Sequence, residues 1–453
     1  MKRLTYEDAL NFLYSYIDRG GKKPPQQDEA RPARTRYLLE LMGNPHQRYP
    51  TLHITGTKGK GSVSAMCASI LRAAGYRVGM LTSPHLQELR ERYQINQAMV
   101  SEETLTNAVA EINPTLDRFP EARWPEVITS LGFYMFAQEQ VDIAVVEVAY
   151  GGRLDSTNVV TPITSIITSI SYDHMHLLGN TLAEIAWEKS GIIKPGVPVV
   201  SAPQKDEARL VIEKIATERH SPLTLVGRDL PFQALPPSLD GQSMSVEYPN
   251  HSPKTYTTAL IGQHQAINTA VVLGVMERVK EANFAIPETA IRAGLWNVNW
   301  PGRMEIIDQN PIVLLDSAHN GESGRWLREN IQAMFPQRPL VLVYGSKPNK
   351  DIDSTLSELI PMADYLILTR SVYPATVDPD QLIDFARHAG FTGPIETITD
   401  LAATIERAKQ LAGPTGLVCI TGSMFIVGEV RTLYGLRPNE AVRVSNTHPT
   451  GLD

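Results

Sequence analysis

The sequence predicts an α/β protein in two lobes. The first lobe has a mostly parallel sheet with a small extra β region, and the second has a doubly wound sheet. Three observations carry that expectation. Short apolar runs such as VDIAVVEVA (141–149) and TSIITSI (164–170) are rich in β-branched residues, as strands buried on both faces are. A glycine-rich turn at 56–62 joins a strand-like stretch to a helix-like one. Beyond NVNWPGR (297–303), strand-like and helix-like segments alternate in the manner of βα units.

Taken in order, the first fifty residues read as helical around a polar break, GGKKPPQQDEARP, whose glycine and proline content predicts a loop. A strand over 51–55, the glycine turn and a helix over 62–74 follow, and Arg77–Leu81 reads as a second strand. A helix is expected over 126–138, then the two apolar strands. Thr181 and Glu184 have capping-box spacing for a helix bearing Glu188 and Lys189, with Gly191 as its stop. VPVVSA (197–202) reads as the next strand.

Residues 228–260 change character, and SMSVEYP and TYTTALI are candidate strands of a small β insertion. Gln263 to Val279 is helical in pattern. Pro301-Gly302 punctuates a boundary. PIVLLDS, LVLVYGS, YLILTR, IETIT and LVCITGS then alternate with helices starting near Glu322, Asp353, Asp378, Ala402 and Met424. The domains expected are 1–298, 299–437 and a flexible tail over 438–453 that lacks periodicity.

Composition narrows the function. The chain of 453 residues is 42% hydrophobic and 20% charged, with a net charge of −7, which argues against a nucleic-acid binder held by bulk charge. Cys67 and Cys419 are the only cysteines, too few for a disulfide framework or a zinc cluster, so a reducing, cytoplasmic setting is expected. No apolar stretch reaches the roughly 18 residues of a membrane span.

The turn Gly56-Thr57-Lys58-Gly59-Lys60-Gly61-Ser62 is nearly a nucleotide-binding P-loop, except that Gly61 separates Lys60 from Ser62. Glycines let backbone N–H groups approach an anion, and a helix N-terminus adds unpaired donors and about half a positive charge. Lys60 would reach the outer phosphates and Ser62 would hold the metal. A plain tight turn is the competing reading.

GTKGKGS resembles the GTNGKGS loop of folylpolyglutamate synthase and dihydrofolate synthase, in the Mur ligase superfamily. The resemblance recurs as LTSPHL, EVAYGGRLDSTN, SYDHMHLLGNTLAEIAWEKSGIIKPG, GQHQAIN, WPGR, DSAHN, GSKPNKD and TGSMFIVGEVR, in family order across nearly the whole chain. It implies an N-terminal Mur-ligase-type P-loop ATPase domain and a C-terminal Rossmann-like glutamate ligase domain. It also implies ATP-driven amide formation between L-glutamate and a folate or dihydropteroate carboxylate, in a monomer that uses neither nucleic acid nor membrane. A carboxylate is a poor acyl donor, so transfer of the γ-phosphoryl group would first make an acyl phosphate. Metal ions and cationic side chains are the expected catalysts of that transfer.

The resemblance also assigns residues. Ser83, Glu147 and His174 are the implied Mg2+ ligands, with two ions expected. Glu147 ends an apolar strand, where a bare carboxylate is costly to bury, so either a cation or an arginine partner is needed. Lys189, in the stretch matching the family's EKAGI motif, is implied to react with CO2 and ligate the second ion as a carbamate. That reaction needs a neutral amine and hence a pKa below the usual value of about 10.4. Asn268 is expected at adenine, and Arg303 and Asp316 at ATP from the second domain. Arg303 suits a γ-phosphate, although a hinge arginine also suits a carboxylate across the boundary. His319 is expected near the glutamate or phosphoryl site, its plain reading being a turn histidine.

Departures from the family pattern bear on selectivity. Lys58 stands where the loop usually has Asn; it adds charge beside the phosphates and is expected to be tolerated, pointing outward. Ser317 replaces the glycine of DGAHN. In ARWPEVIT (122–129), Pro125 takes the place of a phenylalanine, while Glu126 and Thr129 are retained. Glu126 and the loop residues Leu154, Asp155 and Ser156 are the expected pterin-side contacts. Three alternatives remain: a Mur-type ligase with a different acceptor, a P-loop kinase or nucleotide switch, and a metal-free structural role.

Overall fold

The structure, a computed structural model, describes residues 4–17, 28–173, 175–248, 252–348, 350–372 and 376–442. Most of the expected polar break therefore lies outside the described residues. Strands of the first sheet are β1 (Thr51–Thr55), β2 (Val78–Leu81), β3 (Tyr93–Ile95), β4 (Ala98–Met99), β5 (Ile143–Glu147), β6 (Thr164–Ile167), β7 (Val199–Ser201) and β8 (Leu223–Leu225). They lie in the order β4-β3-β2-β5-β1-β6-β7-β8, parallel from β2 to β8, with β3 and β4 antiparallel at one edge.

Helices α1 (Tyr6–Tyr14), α2 (Arg31–Leu41), α3 (Lys60–Ala73), α4 (Glu102–Asp117), α5 (Trp124–Gln138), α6 (Met175–Leu178), α7 (Leu182–Ser190), α8 (Asp206–Glu218), α9 (His264–Glu281) and α10 (Glu288–Trp296) surround it. Strand β5 shows why the run at 141–149 is apolar throughout. Ile143 and Val145 enter the cluster with α3, α9 and α10, while Ala144 and Val146 enter the cluster with α1, α2, α4 and α5. Each buried Ile or Val among them contributes about 1.5–3 kcal/mol. The expected insertion is a three-stranded antiparallel sheet of β9 (Phe232–Ala234), β10 (Gln242–Val246) and β11 (Lys254–Thr258), ordered β11-β10-β9. Met244, Val246 and Tyr256 seat it on the α9 side of the first lobe.

The second sheet holds β12 (Glu305–Gln309), β13 (Ile312–Leu315), β14 (Leu340–Tyr344), β15 (Tyr365–Leu368), β16 (Ile395–Thr397) and β17 (Leu417–Thr421). Their order is β12-β13-β17-β14-β15-β16, and only β12 is antiparallel. Helices α11 (Gly321–Met334), α12 (Ile352–Leu359) and α13 (Pro379–His388) cover one face, and α14 (Leu401–Ala412) and α15 (Met424–Leu433) the other. The five expected βα units are present, and β12 is an addition that the sequence pattern does not separate from β13.

Contacts at α15 help to set how the lobes meet. The loop after β2 runs against α15, where a Cβ on Gly428 would lie 2.0 Å from the Leu86 carbonyl oxygen, so only glycine fits without movement. Beside it, fully buried Arg431 pairs with Glu305 and donates to Gln87 Oε1 at 2.9 Å. The start of the expected flexible tail is a correction. Asn439 is buried, accepts from Gln94 Nε2 at 2.9 Å and donates to Gln97 O at 2.9 Å, while Val442 N donates to Glu305 Oε1 at 2.8 Å. Residues 438–442 are thus docked by polar pairs that carry no periodic signal; 443–453 lie outside the described residues.

Candidate active site

The C-terminal ends of β1, β2, β5 and β6 open onto the cleft between the lobes, the end of a parallel sheet where such folds bind ligands. The glycine turn leaves β1 there. Thr57 N and Lys58 N donate to Ser169 O at 2.8 and 3.2 Å, which pins the turn to the loop after β6. Gly59, at φ +89°, is the N-cap of α3, and a Cβ there would lie 2.3 Å from Asn268 Oδ1. The first-turn N–H groups of α3, from Lys60 to Ser62, have no acceptor within the helix and form a donor set for an anion. The anomalous Gly61 also has a steric cause: a Cβ on it would meet Trp300 Cζ2 at 2.4 Å. The tryptophan of WPGR rests directly on the turn.

Two lysines converge on one carbonyl. Lys60 Nζ donates to Gly56 O at 3.1 Å, and Lys189 Nζ donates to the same oxygen at 2.8 Å. Lys189 is 3% exposed, and burial, reinforced by Lys60, holds its pKa well below the usual lysine range. The capping box expected for its helix is present, with Thr181 accepting from Glu184 N. At the end of β5, burial pushes Glu147 up to about 7, opposed chiefly by Lys60; Ser83 N donates to its Oε2 at 3.3 Å. His174 lies outside the described residues. Among the described residues no three His, Cys, Asp or Glu side chains group as a metal cluster.

From the second lobe come Arg303, Asp316, Ser317 and His319. Arg303 makes no hydrogen bond or ion pair among the described residues, and it lines a cleft with Thr82, Pro84, Trp300, Ser317 and Met424. Asp316 has both oxygens engaged, accepting from Met304 N at 3.0 Å and Ala318 N at 2.9 Å. Ser317 Oγ donates to Gly302 O at 3.0 Å. The serine that replaces the family glycine thus ties the WPGR arm to the DSAHN turn, and Asp316 fixes the backbone next to Arg303. Asn268 donates to Gln265 Oε1 at 2.8 Å and packs on the glycine turn.

Lys58 corrects an expectation. Instead of pointing outward it reaches into the cleft, 3.4 Å from Asp173 Oδ2 and 3.3 Å from His319 Nε2. Burial, opposed by Asp173 and reinforced by Lys350, Arg303 and Lys60, brings its pKa down to about 8.

The residues expected on the pterin side are engaged within the first lobe. Glu126 is fully buried and accepts from Arg34 Nε at 2.9 Å; Arg34 also pairs with Asp28, which pairs with Arg123 at 2.9 Å. Glu126 Oε2 has no partner among the described residues. Asp155 accepts from Tyr150 N, Thr157 N and Thr157 Oγ1, so its carboxylate shapes its own loop between buried Leu154 and Ser156.

Residues 302–424 match the Mur ligase glutamate ligase domain, and residues 54–276 match the Mur ligase middle domain. The chain is 32% identical to the dihydrofolate synthase/folylpolyglutamate synthase of Bacillus subtilis (strain 168), over 94% of this chain and 98% of that protein. This chain belongs to the folylpolyglutamate synthase/dihydrofolate synthase family of Mur ligases. Among solved structures of the family, the Thermotoga maritima folylpolyglutamate synthase superposes with a TM-score of 0.81 at 34% identity, covering 95% of this chain and 96% of that one. E. coli FolC, in complex with DHPP and ADP, superposes with a TM-score of 0.83 at 26% identity, covering 94% and 97%. Against the family pattern, reasoning from sequence missed Asp173 and Lys350, although both stand in motifs shared with the family. Their only signal there was membership of SYDHM and GSKPNKD, because a charged residue in a loop looks solvated until its partner on the other lobe is known.

Proposed function

We propose that this chain is an ATP-dependent carbon–nitrogen ligase that joins L-glutamate to the carboxylate of a folate or pteroate through an acyl phosphate. The observation that carries the reading is the meeting of the glycine turn with the second lobe, Lys58 Nζ to His319 Nε2 at 3.3 Å and Gly61 beneath Trp300. A kinase or nucleotide switch needs no such second lobe. The division into an ATP-binding lobe over 1–298 and a glutamate ligase lobe over 299–437 belongs to the same reading.

The first turn of α3 and Lys60 receive the phosphates, and Arg303 brings a forked set of donors to the terminal phosphoryl group as charge spreads over its oxygens. Trp300 and the loop after β2 line the cleft in which the activated acyl group would form. His319 stands at the second-lobe side, from which the amino acid enters.

A divalent cation fits the end of β5, because Glu147 is a carboxylate in a place too buried to keep its charge unaided. Ser83, Glu147 and Ser62 offer the hard oxygen donors that Mg2+ takes; His174, the nitrogen ligand the family resemblance implies, lies outside the described residues. Mg2+ supplies neutralisation of charge on the transferring phosphoryl group. Lys189, held toward its neutral form, meets the condition for a carbamate with CO2 and would then offer an anionic oxygen pair toward a second ion.

The test is ADP release by the purified protein. ADP is expected only when ATP, Mg2+, a pteroate or folate and L-glutamate are all present, and Lys60→Ala abolishes it with the fold retained. Full turnover without L-glutamate rules the ligase out. Comparing dihydropteroate with tetrahydrofolate separates dihydrofolate synthesis from polyglutamation, and a response to neither assigns the chemistry to a different acceptor.

A further inference from the structure

The lysine that departs from the family loop lies at the centre of a four-residue bridge between the lobes. Asp173, from the loop after β6, takes Lys58 of its own lobe at 3.4 Å on Oδ2 and Lys350 of the other lobe at 3.5 Å on Oδ1. His319 Nε2 lies 3.3 Å from Lys58 Nζ and 3.8 Å from Asp173 Oδ2. The backbone of Lys58 is fixed by its bond to Ser169 O, so its side chain leaves from a held base.

The imidazole is oriented from both sides. His319 Nδ1 stands 2.8 Å from Ser317 O, and a carbonyl oxygen only accepts, so Nδ1 carries the proton and Nε2 presents its lone pair. An ammonium group has only donors, which matches that lone pair. Protonating Nε2 as well would set two cations against each other; burial and then Lys58 hold the His319 pKa at about 3. An Asn at position 58 has a side chain too short to span from the turn to the second lobe.

We propose that Lys58 is a positioning residue for the ligation step: bridging Asp173 and His319, it holds the DSAHN turn over the glycine turn and fixes the His319 ring on the amino-acid side of the cleft. The inference rests on the ligase reading. It assigns to Lys58 an effect on L-glutamate use rather than on nucleotide affinity.

The experiment compares Lys58→Asn, Lys58→Arg, His319→Gln and the Lys58→Asn/His319→Gln double variant. In Lys58→Asn the KM for L-glutamate rises about tenfold while the ADP dissociation constant stays within about twofold, and Lys58→Arg recovers most of the loss. The L-glutamate KM of the double variant is no higher than that of His319→Gln alone, because Lys58 acts on L-glutamate through the His319 ring. An ADP affinity that falls as far as the L-glutamate KM rises, or additive losses in the double variant, overturns the proposal. A readout without turnover keeps it apart from the ligase reading. In 15N imidazole spectra, the Nε2 signal missing from His319→Gln must shift in Lys58→Asn, and an unmoved signal sinks the proposal whatever the reaction is. If the wild-type protein ignores L-glutamate and the Nε2 signal still shifts in Lys58→Asn, the ligase reading alone falls.

Discussion

A methyl group on Gly61 would press into Trp300, and on Gly59 into Asn268, so the turn is shaped as much by what leans on it as by what it is built to cradle. Gly61→Ala is expected to push Trp300 away, reduce ADP release at least about tenfold and destabilise the fold by about 1–3 kcal/mol. Steady-state rates and chemical denaturation measure both. Buried histidines set a second residue-scale prediction. Burial takes His53 and His85 down to about 3 and His264 to about 4, so the unfolded chain binds more protons below about pH 6.5. Their contribution is complete above that pH and is lost as pH falls, by up to about 1.4 kcal/mol per pH unit for each histidine. Raised carboxylates such as Glu147 act with the opposite sign, so the comparison is with His53→Gln, whose side-chain amide can take the place of Nε2 at Thr157 Oγ1, 2.9 Å away in the native protein. Its unfolding free energy should fall less steeply between pH 6.5 and 5, and an identical slope would show that His53 is not buried neutral. At this scale the sequence was legible for Glu147 and the glycine turn, because an acid ending an apolar strand and glycines before a helix are local signals. It was illegible for Lys58, whose partners lie 115 and 261 residues away.

Elements with a local signature read well and elements defined by a neighbour did not. Strand β5 announces itself through apolar residues on both faces, and α7 through its capping box. Strand β12 follows the hinge and pairs antiparallel with β13 across a bulge between Ile306 and Asp308, a register that no periodicity marks. Helix α15 reads as an ordinary apolar helix, yet its glycine is fixed by the Leu86 carbonyl of the other lobe. Gly428→Ala is expected to lift the loop after β2 off this helix. A lowered melting temperature and faster proteolytic cleavage within 84–92 would register it, and unchanged protection would mean that the loop docks elsewhere. Arg431, beside it, is held too deeply to lose its Glu305 partner without a penalty of about 3–5 kcal/mol.

On the scale of the molecule, the lobes are joined at more than the hinge. The Gly61–Trp300 contact, the Lys58–Asp173–Lys350–His319 bridge, the Leu86–Gly428 contact and the docked residues 438–442 all cross between them or brace the crossing. A chain ending at Arg437 loses Asn439 from Gln94 and Gln97, and Val442 from Glu305. It is expected to give a larger radius of gyration by small-angle scattering and a raised KM for substrates bound by both lobes, with each lobe still folded. A radius matching that of the full chain would show that this segment braces nothing.

The outermost strands hold a different consequence. The first sheet ends in β4 and β8, of two and three residues, and the second in β16, of three, and the bulged β12. Such margins give a stray extended peptide little ladder to copy. A partly opened molecule, with its lobes swung apart, would therefore resist stacking into fibrils, so separation of the lobes would expose no long ladder to seed aggregation.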